Sequence, residues 1–134
     1  MIEQAIFKYM SSSPSITGFI GSGNKARVYP VKLPQNIGFP AVQFQRIVGT
    51  RVRGMQGSYG LVSVRFQFDI YSKKYSEAKK LSQAIRKLWD GYKDVIFGTD
   101  IRAVFLDPDQ GPLYDDQTEL YRIIQDYFFH YIEN

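Results

Sequence analysis

The side chains in this chain that could do chemistry are arginines and carboxylates, and what they offer is charge recognition. Arg51 and Arg53, with Arg46 shortly before them, stand among Val52, Met55 and Tyr59, residue types enriched in interface cores. Glycines at 49, 54, 57 and 60 let the backbone there adapt. A second cluster has the opposite sign: Asp107, Asp109, Asp115, Asp116 and Glu119 lie in a stretch without a lysine or arginine. Copies meeting head to tail through these two segments would join in opposite charge, a heterologous contact that closes into a ring if the rotation permits. The plainer reading of the basic segment is a solvated hairpin tip.

Catalysis has little to work with. The single histidine, His130, lies between Phe128-Phe129 and Tyr131 and reads as a strand residue, and no Gly-x-Ser-x-Gly turn presents a serine. Gly18 to Lys25 looks like a phosphate loop, but that motif needs Lys directly after the second glycine, whereas Asn24 intervenes and Ala26 follows; it reads as a turn. The acidic segment lacks the alternating ligands and terminal Glu of a twelve-residue calcium loop, and Pro108 and Pro112 stiffen it. With no cysteine there is no disulfide, no thiolate zinc site and no thiol nucleophile. The expectation is a protein that is not an enzyme and carries no cofactor or metal.

The chain has 134 residues, which suits one domain. No apolar run approaches the roughly 18 residues of a membrane span, and Met1-Ile2-Glu3-Gln4 does not open a signal peptide, so a soluble, unexported protein is expected. A net charge of +4 is modest for a dedicated nucleic-acid binder, though its distribution is uneven.

The elements that must position the two charged segments follow from periodicity. Val62, Val64, Phe66, Phe68 and Ile70 alternate with Ser63, Arg65, Gln67 and Asp69, which is a central antiparallel strand with one dry face. Ile2, Ala5, Ile6, Tyr9 and Met10 mark a first helix before Ser11-Ser12-Ser13-Pro14, and residues 15–26 read as a turn-rich connection. Residues 27–30 suggest a short edge strand, and 41–48 another strand with a bulge at Arg46-Ile47. Ser76 is a candidate N-cap for a helix striped by Ala78, Leu81, Ile85, Leu88 and Tyr92, with Lys79, Lys80, Gln83, Arg86 and Lys87 on its wet face. Ile101 to Leu106 and Leu120 to Ile132 close the chain as a second hairpin, and no internal repeat or linker is found.

The expected class is α+β, an antiparallel sheet of about five strands with two helices on one face in the order αβββαββ. Residues 49–60 and 107–119 are then left as two long flexible loops within a single domain, and long loops in compact domains are commonly functional. Ordering twelve loop residues would cost on the order of 12–24 kcal/mol, against about 0–1 kcal/mol from each exposed ion pair. On those numbers a ring would form only on a template that adds buried surface.

One resemblance organises these pieces. Val28-Tyr29-Pro30, Leu33-Pro34-Gln35 and Phe39-Pro40-Ala41-Val42 are followed by the glycine/arginine segment, the 61–71 strand, and Tyr75 to Ala78 with Leu81. Leu106-Asp107, Tyr114, Leu120-Tyr121-Arg122 and Asp126-Tyr127-Phe128 then complete the order. Over residues 27–132 the chain resembles the tail completion proteins of long-tailed bacteriophages, also described as tail terminator or tail-to-head joining proteins; Gly21-Ser22-Gly23 does not match the pattern. The resemblance implies a structural virion protein, assembled in the host cytoplasm, that caps the head-proximal end of the tail tube as a hexameric ring. Its implied partners are its own copies, the major tail tube protein and the head connector or stopper, with DNA only passing through the lumen and no membrane. It assigns Arg51 and Arg53 to subunit contacts or to the lumen. The alternative is a nucleic-acid-binding module using Arg46, Arg51, Arg53 and the lysine face of the second helix.

Overall fold

Alternation in the middle of the chain sets the architecture. The structure, a computed structural model, describes residues 2–54, 57–107 and 110–132, and the backbone alone at 48, 50–54, 57–59 and 110. Strand β3 (Gly57–Ser72) buries Val62, Val64, Phe66, Phe68 and Ile70 on one face. It pairs antiparallel with β2 (Ala41–Gly54) on one side and β7 (Leu120–Ile132) on the other, so it is central as expected. Phe44 from β2 stacks on Phe68, and Phe129 and Tyr127 from β7 meet Phe66 and Phe68 edge to face. These rings form the sheet side of the core.

The helices supply the other side. Helix α1 (Ile2–Ser12) buries Ile2, Ala5, Ile6 and Met10, and α3 (Tyr75–Trp89) buries Ala78, Leu81, Ile85 and Trp89, both at helical spacing. Trp89 is enclosed by Tyr9, Tyr92 and Phe129, ring edge to ring face. Helix α1 stops where the hydroxyls of Ser11, Ser12 and Ser13 donate to the carbonyls of Lys8 and Tyr9, competing with the helical ladder. Pro14 then opens a further helix, α2 (Pro14–Ile20), in the stretch expected to be a connection; proline suits a first helical turn, whose N–H groups have no partner. The cap of α3 is Lys74 and not Ser76. No side chain caps the first turn; Ser72 instead ties the turn before the helix to it, its hydroxyl accepting the Lys74 N–H at 3.1 Å and donating to Glu77 at 2.8 Å.

Around this core the sheet differs from expectation in number and sense. Among the described residues it has seven strands, with β1 (Val28–Pro30), β4 (Asp94–Ile96), β5 (Thr99–Leu106) and β6 (Gln110–Asp115) completing the order β1-β2-β3-β7-β5-β4 and β6 also on β7. Edge strand β1 runs parallel to β2, so the sheet is mixed. The chain manages this because residues 31–40 cross back to the starting end, fixed by the Arg27 guanidinium, which donates to the carbonyls of Phe19 at 2.7 Å and Pro40 at 2.8 Å.

Both segments expected as loops are mostly strand. Residues 49–54 and 57–60 continue the β2–β3 ladder as far as the Gly54–Gly57 pair; Met55 and Gln56 lie outside the described residues. Glycine suggested a loop, but here it serves bulges: the register shifts beyond Arg46, as expected, and Gly49 leaves room for the Arg46 guanidinium folded over it. A second shift falls between Arg51 and Arg53, opposite Gly60, whose φ of 74° favours glycine. In the acidic segment β6 pairs with β7, lying end to end with β5 along the same edge, so that the true turn is residues 116–119.

Candidate functional site

One face of the sheet is covered by helices, and the other carries an arginine–aspartate clasp. On β3 the open face reads Arg65, Gln67, Asp69, Tyr71, and on β7 it reads Arg122, Ile124, Asp126, Phe128. Both strands thus carry Arg-x-x-x-Asp-x-aromatic. Antiparallel pairing sets Arg65 opposite Phe128 and Arg122 opposite Tyr71, so each arginine lies over the other strand's ring, at 5.5 and 5.8 Å. Each also reaches the other strand's carboxylate: Arg65 bonds Asp126, and Arg122 bonds Asp69 at 3.1 Å. Gln67 donates to Asp69 at 3.1 Å, and Asp107 stands 3.8 Å from Arg65.

The clasp explains how a face without a helical cover keeps two carboxylates dry. The Asp69 side chain is 2% exposed and that of Asp126 11%. The Arg65 pKa is raised by its hydrogen bond to Asp126 and by that carboxylate's charge. Burial raises the Tyr71 phenol, against the opposing charge of Arg122. Each arginine of the clasp is paired with a carboxylate across the two strands, while Asp126 Oδ1 and the Nε atoms of Arg65 and Arg122 are buried without a hydrogen-bond partner.

The two ends of the sheet are opposite in charge. From Gln4 to Phe68 the chain has no acidic residue and eight basic ones, so the β2–β3 hairpin is purely cationic up to Phe68. Its outer rungs, 57–60, lie beyond the Leu61–Ile132 pair that begins the β3–β7 ladder, a projection of about 13 Å at about 3.3 Å per residue. Arg46 is exposed at the hairpin's bulge; Arg51, Val52, Arg53 and Tyr59 are placed by backbone on its strands, and Met55 lies outside the described residues.

The β6–β7 turn stands at the other end, where Tyr71 pairs with Arg122 and Tyr121 with Ser72. Asp115, Asp116 and Glu119 are exposed there; Asp115 accepts the Gln117 N–H at 2.9 Å through its side chain and the Glu119 N–H at 2.8 Å through its carbonyl. Glu119 holds a left-handed φ of 58°, a conformation that glycine or asparagine adopts more easily. Burial, then the charges of Glu119, Asp116 and Asp115 with the neighbouring Tyr121, raises the phenol of Tyr114. Asp107 is apart from this group, beside the clasp, and Asp109 lies outside the described residues. The structure therefore brings Asp115, Asp116 and Glu119 together at one end, with the basic hairpin on the order of 45 Å away along β3.

A third charged surface is the outer side of α3. Residues 73–93 hold seven lysines and arginines against Glu77 and Asp90. Lys79, Lys80, Arg86 and Lys87 are exposed and fall within an arc of about 120° at about 100° per residue. Among the described residues the ion pairs are made by Arg65, Arg102 and Arg122, none of them on α3.

The remaining candidates sit within the regular elements and their ends. His130 is half-buried in β7 between Ser63 and Ala103, edge to face with Phe105 at 5.7 Å. Gly21 and the 3-10 turn Gly23–Lys25 terminate α2. Among the described residues no helix is long and apolar enough to cross a membrane, and no cluster of three or more His, Cys, Asp or Glu could hold a metal.

Comparison with known proteins gives this arrangement a family. The fold is similar to that of a chain in the virion of a native gene transfer agent particle, with a TM-score of 0.77 over 98% of this chain and 95% of that one. Identity between the two is 11%, so the likeness is one of fold. No curated protein sequence matches. The model of the tail completion protein gp17 family matches residues 4–131, nearly the whole chain and including the Gly21-Ser22-Gly23 turn, and the chain belongs to that family.

Proposed function

We propose that this protein caps the head-proximal end of a phage tail tube as a ring, hexameric in the virion, and joins the tail to the head connector without catalysing a reaction. The family match over residues 4–131 carries the reading, and the sheet geometry supports the ring. A cationic hairpin at one end of the sheet and an acidic turn at the other are two different surfaces on one chain, which a head-to-tail ring requires. Its partners on this reading are its own copies, the major tail tube protein and the connector or stopper protein, at the head–tail interface of a virion assembled in the host cytoplasm. DNA passes through the lumen.

Electron microscopy of particles made without the protein tests this. We expect filled heads separate from tails, with tubes of uncontrolled length; joined particles of normal length would contradict it. A chain shortened by residues 51–59 should remain folded, because Leu61 onward pairs with β7, yet fail to complement.

The unpaired cations of α3 favour a second reading, a surface for the phosphate backbone of duplex DNA. If the isolated protein uses Lys79, Lys80, Arg86 and Lys87 in this way, log K should fall with log salt at a slope of about −0.9 per phosphate contact. Fluorescence anisotropy with a short duplex at low salt checks it, and an absence of binding removes this reading.

A further inference from the structure

We propose, resting on the ring reading, that the pocket on the open face beside the β6–β7 turn receives the β2–β3 hairpin of a neighbouring copy. The pocket is lined by Leu33, Leu113, Leu120, Tyr71 and Tyr114, with Asp115 at its edge and Arg122, its charge paired with Asp69 at 3.1 Å, in its wall. Leu113 is 50% exposed and Tyr114 51%, so its own chain leaves much of this apolar surface uncovered. Asp116 and Glu119 extend the acidic rim on the adjoining turn. An occupant must combine apolar bulk with positive charge.

The β2–β3 hairpin has that composition. Arg51-Val52-Arg53 precedes Met55 and Tyr59 with no carboxylate among them, and arginine and tyrosine are residues on which interface affinity commonly concentrates. Its own hairpin leaves the opposite end of the sheet and cannot reach this pocket, so the occupant comes from another copy. Each copy then offers one hairpin and one pocket, the condition for a closed ring.

The other cavities fit this hairpin less well. The one at Leu61, Lys93, Arg102, His130 and Ile132 has two cations and no carboxylate in its lining, so nothing there answers the hairpin's arginines. The groove between α1 and Val31 holds Glu3 and Lys8, whose charges cancel.

The absence of cysteine makes the contact testable. Ser58→Cys and Leu113→Cys are introduced together and singly, and assembled particles are treated with a bis-maleimide. We expect the double variant to give a ladder of linked copies on a denaturing gel and each single variant to stay monomeric. A visible ring at the head–tail junction without a ladder would overturn the pocket assignment while leaving the ring reading intact. A junction that contains the protein but no ring would remove both. Leu113→Lys, at a half-exposed position, should melt like the parent yet lower the yield of joined particles at least tenfold; an unchanged yield would also overturn the assignment.

Discussion

Asp69 and Asp126 are the residues whose chemistry was least legible in advance. Read along the chain, each is one polar position in an alternating strand, and the shared Arg-x-x-x-Asp-x-aromatic order is easily passed over because Gln67 and Ile124 differ. Its meaning lies in the register, which turns two separate patterns into crossed pairs. Truncating Arg122 to Met would strand a carboxylate that is 2% exposed, so we expect a loss of about 2–3 kcal/mol in urea unfolding. Adding Asp69→Leu should recover part of that loss, because the uncompensated charge goes with it. A loss below about 0.5 kcal/mol from Arg122→Met would mean the pair is solvated and that the clasp does not hold the face.

At the scale of elements, the long periodic pieces were readable. Strand β3, helices α1 and α3, the bulge at Arg46 and strand β7 all follow from alternation or helical spacing. Of the short or glycine-bearing pieces the edge strand β1 was expected, whereas β4, with three residues, and β6, which contains Gly111-Pro112 and so reads as a turn, were not. The basic segment was misread for a related reason: its glycines accommodate bulges within a ladder.

Two substitutions examine those positions. Gly60→Ala should destabilise by about 1 kcal/mol, since φ there is 74°. Gly111→Ala should cost more, about 1–3 kcal/mol, because φ is 106° and the added Cβ would meet the Arg122 carbonyl oxygen at 2.7 Å. Melting temperatures of the two variants against the parent give the order directly, and equal or absent shifts would argue against the bulged ladders.

For the molecule as a whole, the sign of the two charged segments was legible in the sequence and their placement was not. Sequence separation alone does not say whether residues 51–53 and 115–119 lie side by side or apart. They lie at opposite ends because β7 runs antiparallel to β3, which carries the β6–β7 turn to the Ser72 end while the hairpin leaves from the Leu61 end. The ordering cost also falls in a different place: with 49–54 and 57–60 already paired as strand, that part of it is met in folding and not at assembly.

The most direct test exchanges the charges. Arg51→Glu with Arg53→Glu, Asp115→Lys with Asp116→Lys, and all four together are compared by counting joined and free tails in electron micrographs. Each charge-reversed pair alone should prevent joining by setting like charges against each other between copies, and the fourfold variant should restore it. Normal joining by either pair, or a fourfold variant no better than the pairs, would contradict a ring held in register by opposed ends.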